Sequence, residues 1–365
     1  MKLVSVVPGA PLPERPAALA GAILTRDLVV AGTRWSKGRR LDEPDLEALE
    51  TGPAWRPGPW ADSADGPPVG VTLLLPGPDD VHEDDAATRL AASLAGPGLV
   101  PRGPRESRID LVASQAGEVR ARVSMLERIN AIDGISVFTV LDGQLVSEGG
   151  LVASVKTGPH LVSAASVLRA ESLAGGAGRA RPVVEVRPYL TRRVAAVVKE
   201  TLAEAARARF EATLRARLDG LGSSLVEICY VADEAAAVAS AFRRLARGPG
   251  RVDLLLTAGA ASTDPADAIF VALAAVGGRV VSHGVPAHPG SMLWLGRVGR
   301  TSVLGLPTCG AYSRATAVDL ILPWLVAGEP PTRRTVARLG HGGILTRDMR
   351  FRFPAYARSL EAPEG

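Results

Sequence analysis

From residue 188 to residue 326 the sequence switches repeatedly between two periods, and this alternation restricts the fold more than any other feature. The runs VAAVVKE, SLVEICYV and VDLLLTAG are nearly continuous in apolar residues, and residues 202–218 and 234–245 between them return to apolar positions at helical spacing. A strand that is apolar on both sides has no solvated face, and parallel strands need a crossover that lays a helix over the sheet. The pattern therefore predicts a parallel sheet covered on both faces. It continues with a helix over 264–276, a strand over 279–283, a pair of strands over 292–296 and 302–306, and a last core helix over 315–326. The expected class is α/β, a doubly wound, mostly parallel sheet sandwich preceded by an α+β module.

The N-terminal half is more mixed. Asp42 suits the N-cap of a short helix carrying Leu46 and Leu49 and stopped by Gly52, because a carboxylate there accepts the free amides of the first turn. Residues 53–68 are rich in Pro, Gly and Trp and read as loop, and VGVTLLLPG follows as a strand. In DDVHEDDAATRLAASLAG, Asp79 or Asp80 opens an acidic first turn and Ala86, Leu90 and Leu94 form an apolar face. A strand is expected over 109–114, a helix over 119–130 with Val123, Leu126 and Ile129 on one side, and hairpins around Asp142-Gly143 and Gly149-Gly150. The Gly-rich AESLAGGAGRAR reads as linker. The expected division is an N-terminal module over 1–160, a linker over 161–187, the α/β domain over 188–345 and a tail over 346–365.

A chain of 365 residues exceeds what one core usually supports. Its 42 basic and 38 acidic residues, with no long run of like charge and only 4% aromatics, give little material for a nucleic-acid surface. The two cysteines, Cys229 and Cys309, make neither a disulfide framework nor a zinc site. The N-terminus breaks at Pro8 before any signal-length apolar run, and no stretch reaches membrane-spanning length. A cytoplasmic protein without a membrane or nucleic-acid partner is expected.

In open α/β sheets ligands settle beyond the carboxyl ends of the strands, where loops enter helices. Two loops qualify. The first runs from Thr257 through Gly259, Ala260, Ser262 and Thr263 to Asp264, Pro265 and Asp267. Its small residues admit a ligand to the backbone, its hydroxyls donate, and either Asp suits a cation or a ring nitrogen of a ligand. Asp264 before Pro265 equally suits a structural N-cap, so Asp267 is the stronger functional candidate and the candidate ligand for Mg²⁺. The second loop runs through Pro307, Thr308, Cys309, Gly310, Ser313 and Arg314, where helix amides and an arginine suit a phosphate. Cys309 has no His or Asp beside it and is a poor nucleophile candidate. His283 and His288 lie in a Pro- and Gly-rich turn that suits a pocket wall better than a metal site.

The run LLTAGAASTDPADAIFVALAAVGGRVVSHGVPAHPGSMLWLGRVGRTSVLGLPTCGAYSRATAVDLILPWLVAG resembles the molybdopterin-binding domain shared by molybdopterin adenylyltransferases and molybdenum insertases, and the likeness extends from about 188 to about 345. Its glycine loop with a following Asp, its Pro289-Gly290 turn before LWLGR, and VLGLP opening a helix carry the resemblance. VHEDDAATRLA, the 110–130 region and GGLVASVKTGPH look like what precedes this domain in bacterial molybdopterin-binding proteins. The resemblance implies molybdopterin or molybdenum cofactor as ligand, held by Thr257, Gly259, Ala260, Ser262, Pro289, Gly290, Pro307, Thr308, Cys309, Gly310, Ser313 and Arg314. It also implies a catalytic pair, Asp267 and Asp264, a molybdoenzyme client and self-association. The chain departs from the family where Ala260 follows Gly259, where Pro265 replaces an Asp, and where Thr308-Cys309-Gly310 replaces Gly-Asn-Pro. Binding tolerates such changes better than phosphoryl chemistry does. The leading expectation is binding of the pterin for its maturation, delivery or modification. The alternatives are Mg²⁺-dependent nucleotidyl or phosphoryl transfer or molybdate insertion, and a ligand-free regulatory or interaction scaffold.

Overall fold

A computed structural model describes residues 1–52, 55–57, 70–175, 181–199, 202–260, 262–307, 315–328 and 332–359. The chain forms two compact units. The first holds Met1–Ser114, Arg120–Asp142 and Gly149–Val186, and the second holds Gln115–Val119, Gly143–Glu148 and Arg187–Gly365.

In the first unit β1 (Lys2–Val6) pairs antiparallel with a later strand, residue Lys2 facing Leu75 and Val6 facing Val71. The helix α1 (Glu43–Thr51) begins at Asp42 as expected: the Asp42 carboxylate accepts the Asp45 amide at 2.9 Å. Its Leu46 and Leu49 join Val4, Val6 and the Leu73 of β2 (Val71–Leu75) in one core. In α2 (Glu83–Leu94), Ala86, Leu90 and Leu94 are buried as expected, but the cap is His82, whose Nδ1 accepts the Asp84 amide at 3.2 Å. Asp80 is engaged elsewhere, 2.7 Å from the N-terminal ammonium, so Glu83, Asp84 and Asp85 form the acidic first turn.

The strands β3 (Leu99–Arg105) and β4 (Arg108–Ala113) are followed by α3 (Val123–Asn130), which starts later than the expected 119 because Gly117–Ala121 is strand. With β5 (Ile135–Thr139) and β6 (Leu151–Thr157) they complete an antiparallel sheet of order β5-β6-β4-β3. The expected linker opens instead with a short strand over Leu161–Ser163, followed by α4 (Ala164–Ala174), capped by Ser163 and burying Val167, Ala170 and Ala174. Small residues that looked unstructured let α4 pack closely on α2, where Arg89 grips Glu171 with two bonds of 2.9 and 2.8 Å.

The second unit carries the alternation. Its elements are β7 (Arg193–Val198), α5 (Glu204–Asp219), β8 (Ser224–Tyr230), α6 (Ala235–Arg247), β9 (Leu254–Ala258), α7 (Ala268–Ala275), β10 (Arg279–His283), β11 (Trp294–Val298), β12 (Thr301–Gly305) and α8 (Ala317–Val326). They build a six-stranded sheet of order β8-β7-β9-β12-β11-β10. The first four strands in that order are mutually parallel, and β11 and β10 close the edge antiparallel.

Alternation along β7 shows why both faces are apolar. Val194, Ala196 and Val198 enter a core with Phe210, Leu214 and Leu218 of α5 and with α8, while Ala195 and Val197 enter another with Phe242 and Leu245 of α6 and with Ile269 and Leu273 of α7. Each large apolar side chain buried here contributes roughly 1.5–3 kcal/mol. Between α5 and α8 lies an ion pair, Arg217 Nε to Asp319 Oδ1 at 2.8 Å, with both side chains essentially without exposure. The stretch expected as tail adds α9 (Ala355–Ser359), and Phe353 and Ala357 complete the α5 core. No helix among the described residues is long and apolar enough to cross a membrane.

Candidate functional site

Because β7, β9 and β12 run parallel, their carboxyl ends lie along one edge, and the chain leaves β9 and β12 there by the two loops singled out in the sequence. The loop after β9 turns at Gly259, whose φ of +90° is left-handed and favours glycine. Ala260, Ser262 and Thr263 of this loop line a hollow of about 440 Å³. Leu306 and Pro307, where the second loop starts, line the same hollow, as do His288, Gly290, Ser291, Met292 and Trp294. Residues from the two loops and from the Pro-Gly turn between them thus surround one space.

Two polar atoms at this edge are buried without a hydrogen-bond partner among the described residues: the Thr257 hydroxyl and the Trp294 indole N–H. Trp294 fits because position 305 is glycine; an ideal Cβ there would lie 1.8 Å from the indole nitrogen. Gly290 is also tightly placed, with φ at +100° and an ideal Cβ 2.9 Å from the Ala317 nitrogen. Pro289 lies beside it, and its carbonyl accepts the Ala317 amide at 2.9 Å.

The helix ends differ from expectation. Asp267, not Asp264, is the N-cap of α7: its Oδ1 accepts the Ile269 amide at 2.9 Å. Asp264 is exposed and closes a local turn by accepting the Ala266 amide at 2.8 Å. The α8 end is likewise satisfied internally, since Thr316 and Asp319 form a capping box and Ala317 donates to Pro289. Self-capped amides do not face a ligand, so an anion here would meet the loop backbone and its hydroxyls rather than helix ends. Thr308, Cys309, Gly310, Ser313 and Arg314 lie outside the described residues.

Sequence reasoning missed Lys199. Its ammonium lies just past the carboxyl end of β7, 2.9 Å from Asp267 Oδ2 and 2.7 Å from Asp233, with its side chain 6% exposed. Burial would lower its pKa, but hydrogen bonds to Asp233 and Asp267 and their negative charge outweigh it and hold the lysine above its ordinary value. The signal was available: a lysine ends a continuous apolar strand at the edge where ligand loops gather. Lys199 neutralises Asp267, and no carboxylate lines the hollow among the described residues.

Comparison with known proteins supplies the remaining observation. Residues 194–327 match the family described as "Probable molybdopterin binding domain". Among solved structures, the molybdopterin biosynthesis enzyme MoaB from Thermus thermophilus is similar at 20% identity, with 38% of this chain and 99% of that chain covered and a TM-score of 0.27. The molybdopterin biosynthesis MoeA protein from Pyrococcus horikoshii is similar at 14% identity, with 72% and 81% covered and a TM-score of 0.28. No curated protein matches the chain. Both TM-scores are low, so any functional reading rests on the family match and on the site's own geometry.

Proposed function

Residues 194–327 form a domain of the molybdopterin-binding family, and from that premise we propose that the chain binds molybdopterin or molybdenum cofactor in the hollow beyond β9 and β12. The observation that carries the proposal is that both loops border one space of about 440 Å³, within the range of small-molecule sites, with hydroxyls on its wall and no acid there among the described residues. Ser262 and Thr263 offer donors to phosphate oxygens, each such bond to a charged group contributing about 1.5–3 kcal/mol. The Trp294 N–H, buried on a residue that lines the hollow, is a polar group that a pterin ring edge suits. An open hollow favours a ligand over the scaffold alternative.

Binding leads over catalysis for a specific reason. Asp267, the candidate for Mg²⁺, has one oxygen on the Ile269 amide and the other on Lys199, and a carboxylate so engaged is a weak metal ligand. Asp264 is the exposed acid of the loop, and Mg²⁺-dependent nucleotidyl or phosphoryl transfer, or molybdate insertion, would draw on it instead. Within the proposal the chain serves maturation, delivery or modification of the cofactor for a molybdoenzyme, in the cytoplasm and as a homo-oligomer.

Anaerobic calorimetric titration of molybdopterin into the full chain tests this reading. We expect saturable binding of micromolar strength or tighter, abolished by Ser262→Leu, which fills the hollow from an only partly buried position. Absence of binding, or equal affinity in the variant, overturns it.

A further inference from the structure

The opposite edge of the same sheet, where β7, β9 and β12 begin, holds a second hollow of about 410 Å³. Four arginines line it: Arg192 ahead of β7, Arg251 ahead of β9, Arg297 in β11, and Arg300 in the turn that joins β11 to β12. One acid lines it with them, Asp253, whose Oδ2 is committed to the Arg193 amide at 3.0 Å.

Elsewhere in this unit arginines meet carboxylates directly, Arg217 with Asp319, Arg207 with Glu211 and Arg244 with Glu227. Here, among the described residues, the Arg251, Arg297 and Arg300 side chains have no ion-pair partner. The remaining guanidinium is fixed rather than loose: Arg192 Nε donates to the Val326 carbonyl at 3.2 Å. The backbone makes room for it, since Gly328 has φ of +86° and an ideal Cβ there would lie 2.3 Å from Arg192 Nη2.

Four like charges around one concavity repel each other unless something compensates them. Guanidinium forks match the oxygens of phosphoryl groups in bidentate fashion, and a hydroxyl on the same wall, that of Ser302, adds a donor. The rest of the wall is aliphatic, Val252, Leu254 and Leu325, with no aromatic ring on which a base would stack. We propose that this hollow is a second ligand site that binds a compact polyanion with two phosphoryl groups, of the pyrophosphate kind. The site is independent of the pterin reading, because it lies at the amino ends of the strands whose carboxyl ends border the first hollow.

Calorimetric titration of sodium pyrophosphate into the full chain at constant ionic strength tests it, with citrate and sodium chloride as separate arms. We expect saturable binding of pyrophosphate, weakened about tenfold or more by Arg300→Gln and lost in the Arg251→Gln/Arg300→Gln double variant, both positions being exposed. The Ser262→Leu variant should bind pyrophosphate as the parent does, which separates this site from the pterin hollow. Circular dichroism verifies that the variants are folded, and Arg300→Gln alone carries the test should the double variant fail to fold. No saturable binding, citrate bound in preference, or an affinity unchanged by Arg300→Gln overturns the proposal.

Discussion

Replacing Lys199 by methionine removes a cation 2.9 Å from a carboxylate whose side chain is 3% exposed. Taking one partner from a buried pair costs about 3–5 kcal/mol, because the other charge is left buried and uncompensated. Asp267 keeps its bond to the Ile269 amide, so the lower end applies, about 3 kcal/mol. For a unit of this size that corresponds to a fall in Tm of about 6–12 °C. Adding Asp267→Asn removes the second charge while asparagine still caps α7, so the double variant should recover most of the loss. Urea unfolding followed by tryptophan fluorescence reports it, since Trp294 and Trp324 are both buried in this unit.

The pH dependence adds an independent check on Lys199. Its folded-state pKa is raised, with burial opposing and the two carboxylates prevailing, so the contribution is complete below the ordinary lysine value and is lost as pH rises through the elevated one. The stability gap between parent and Lys199→Met should therefore be flat through neutral pH and close only in strong alkali. A cost of Lys199→Met below about 1 kcal/mol, or a double variant no more stable than the single, refutes the reasoning.

Gly305→Ala places a methyl group where the Trp294 ring lies, so the indole must leave its site; a red-shifted emission and lost pterin binding are expected, and unchanged emission would contradict the packing. In the first unit His160 Nδ1 lies 3.0 Å from the buried Glu83, and this hydrogen bond raises the histidine pKa above its ordinary value against the opposing effect of burial. That contribution is present below the ordinary histidine value and lost as pH rises through the higher folded one, so the Tm difference between parent and His160→Gln should shrink with rising pH, and a constant difference would exclude the pairing.

The α/β layering was legible because burial on two faces leaves an unmistakable trace. β10 runs over 279–283 as expected, and the helices of the sheet begin and end within a few residues of their expected bounds, apart from the start of α7. Asp264-Pro265 had every local mark of a helix start, yet α7 begins at Ala268. What decides between the two acids is Lys199, a residue remote in sequence that pairs with Asp267 and holds it at the helix end. Local pattern contains no such information. The same holds for α4, where alanines and serines read as a linker until α2 supplies a surface to pack on. The arginines at the far edge come from three separate places in the chain, Arg192, Arg251 and the neighbouring Arg297 and Arg300, and the parallel register of β7, β9 and β12 brings the three together.

The second unit takes Gln115–Val119 and Gly143–Glu148 from within the first half of the sequence. In it Gly117 accepts a hydrogen bond from the Tyr189 hydroxyl at 3.5 Å, and Gly143 abuts the Trp324 ring, to which an ideal Cβ would come within 3.3 Å. Cutting the gene at position 188 would therefore not liberate a self-sufficient module; it would strip away pieces that belong to it and leave an indole uncovered. During synthesis these two segments emerge long before the sheet that receives them, so the second unit is complete only once pieces from both halves of the polypeptide have come together.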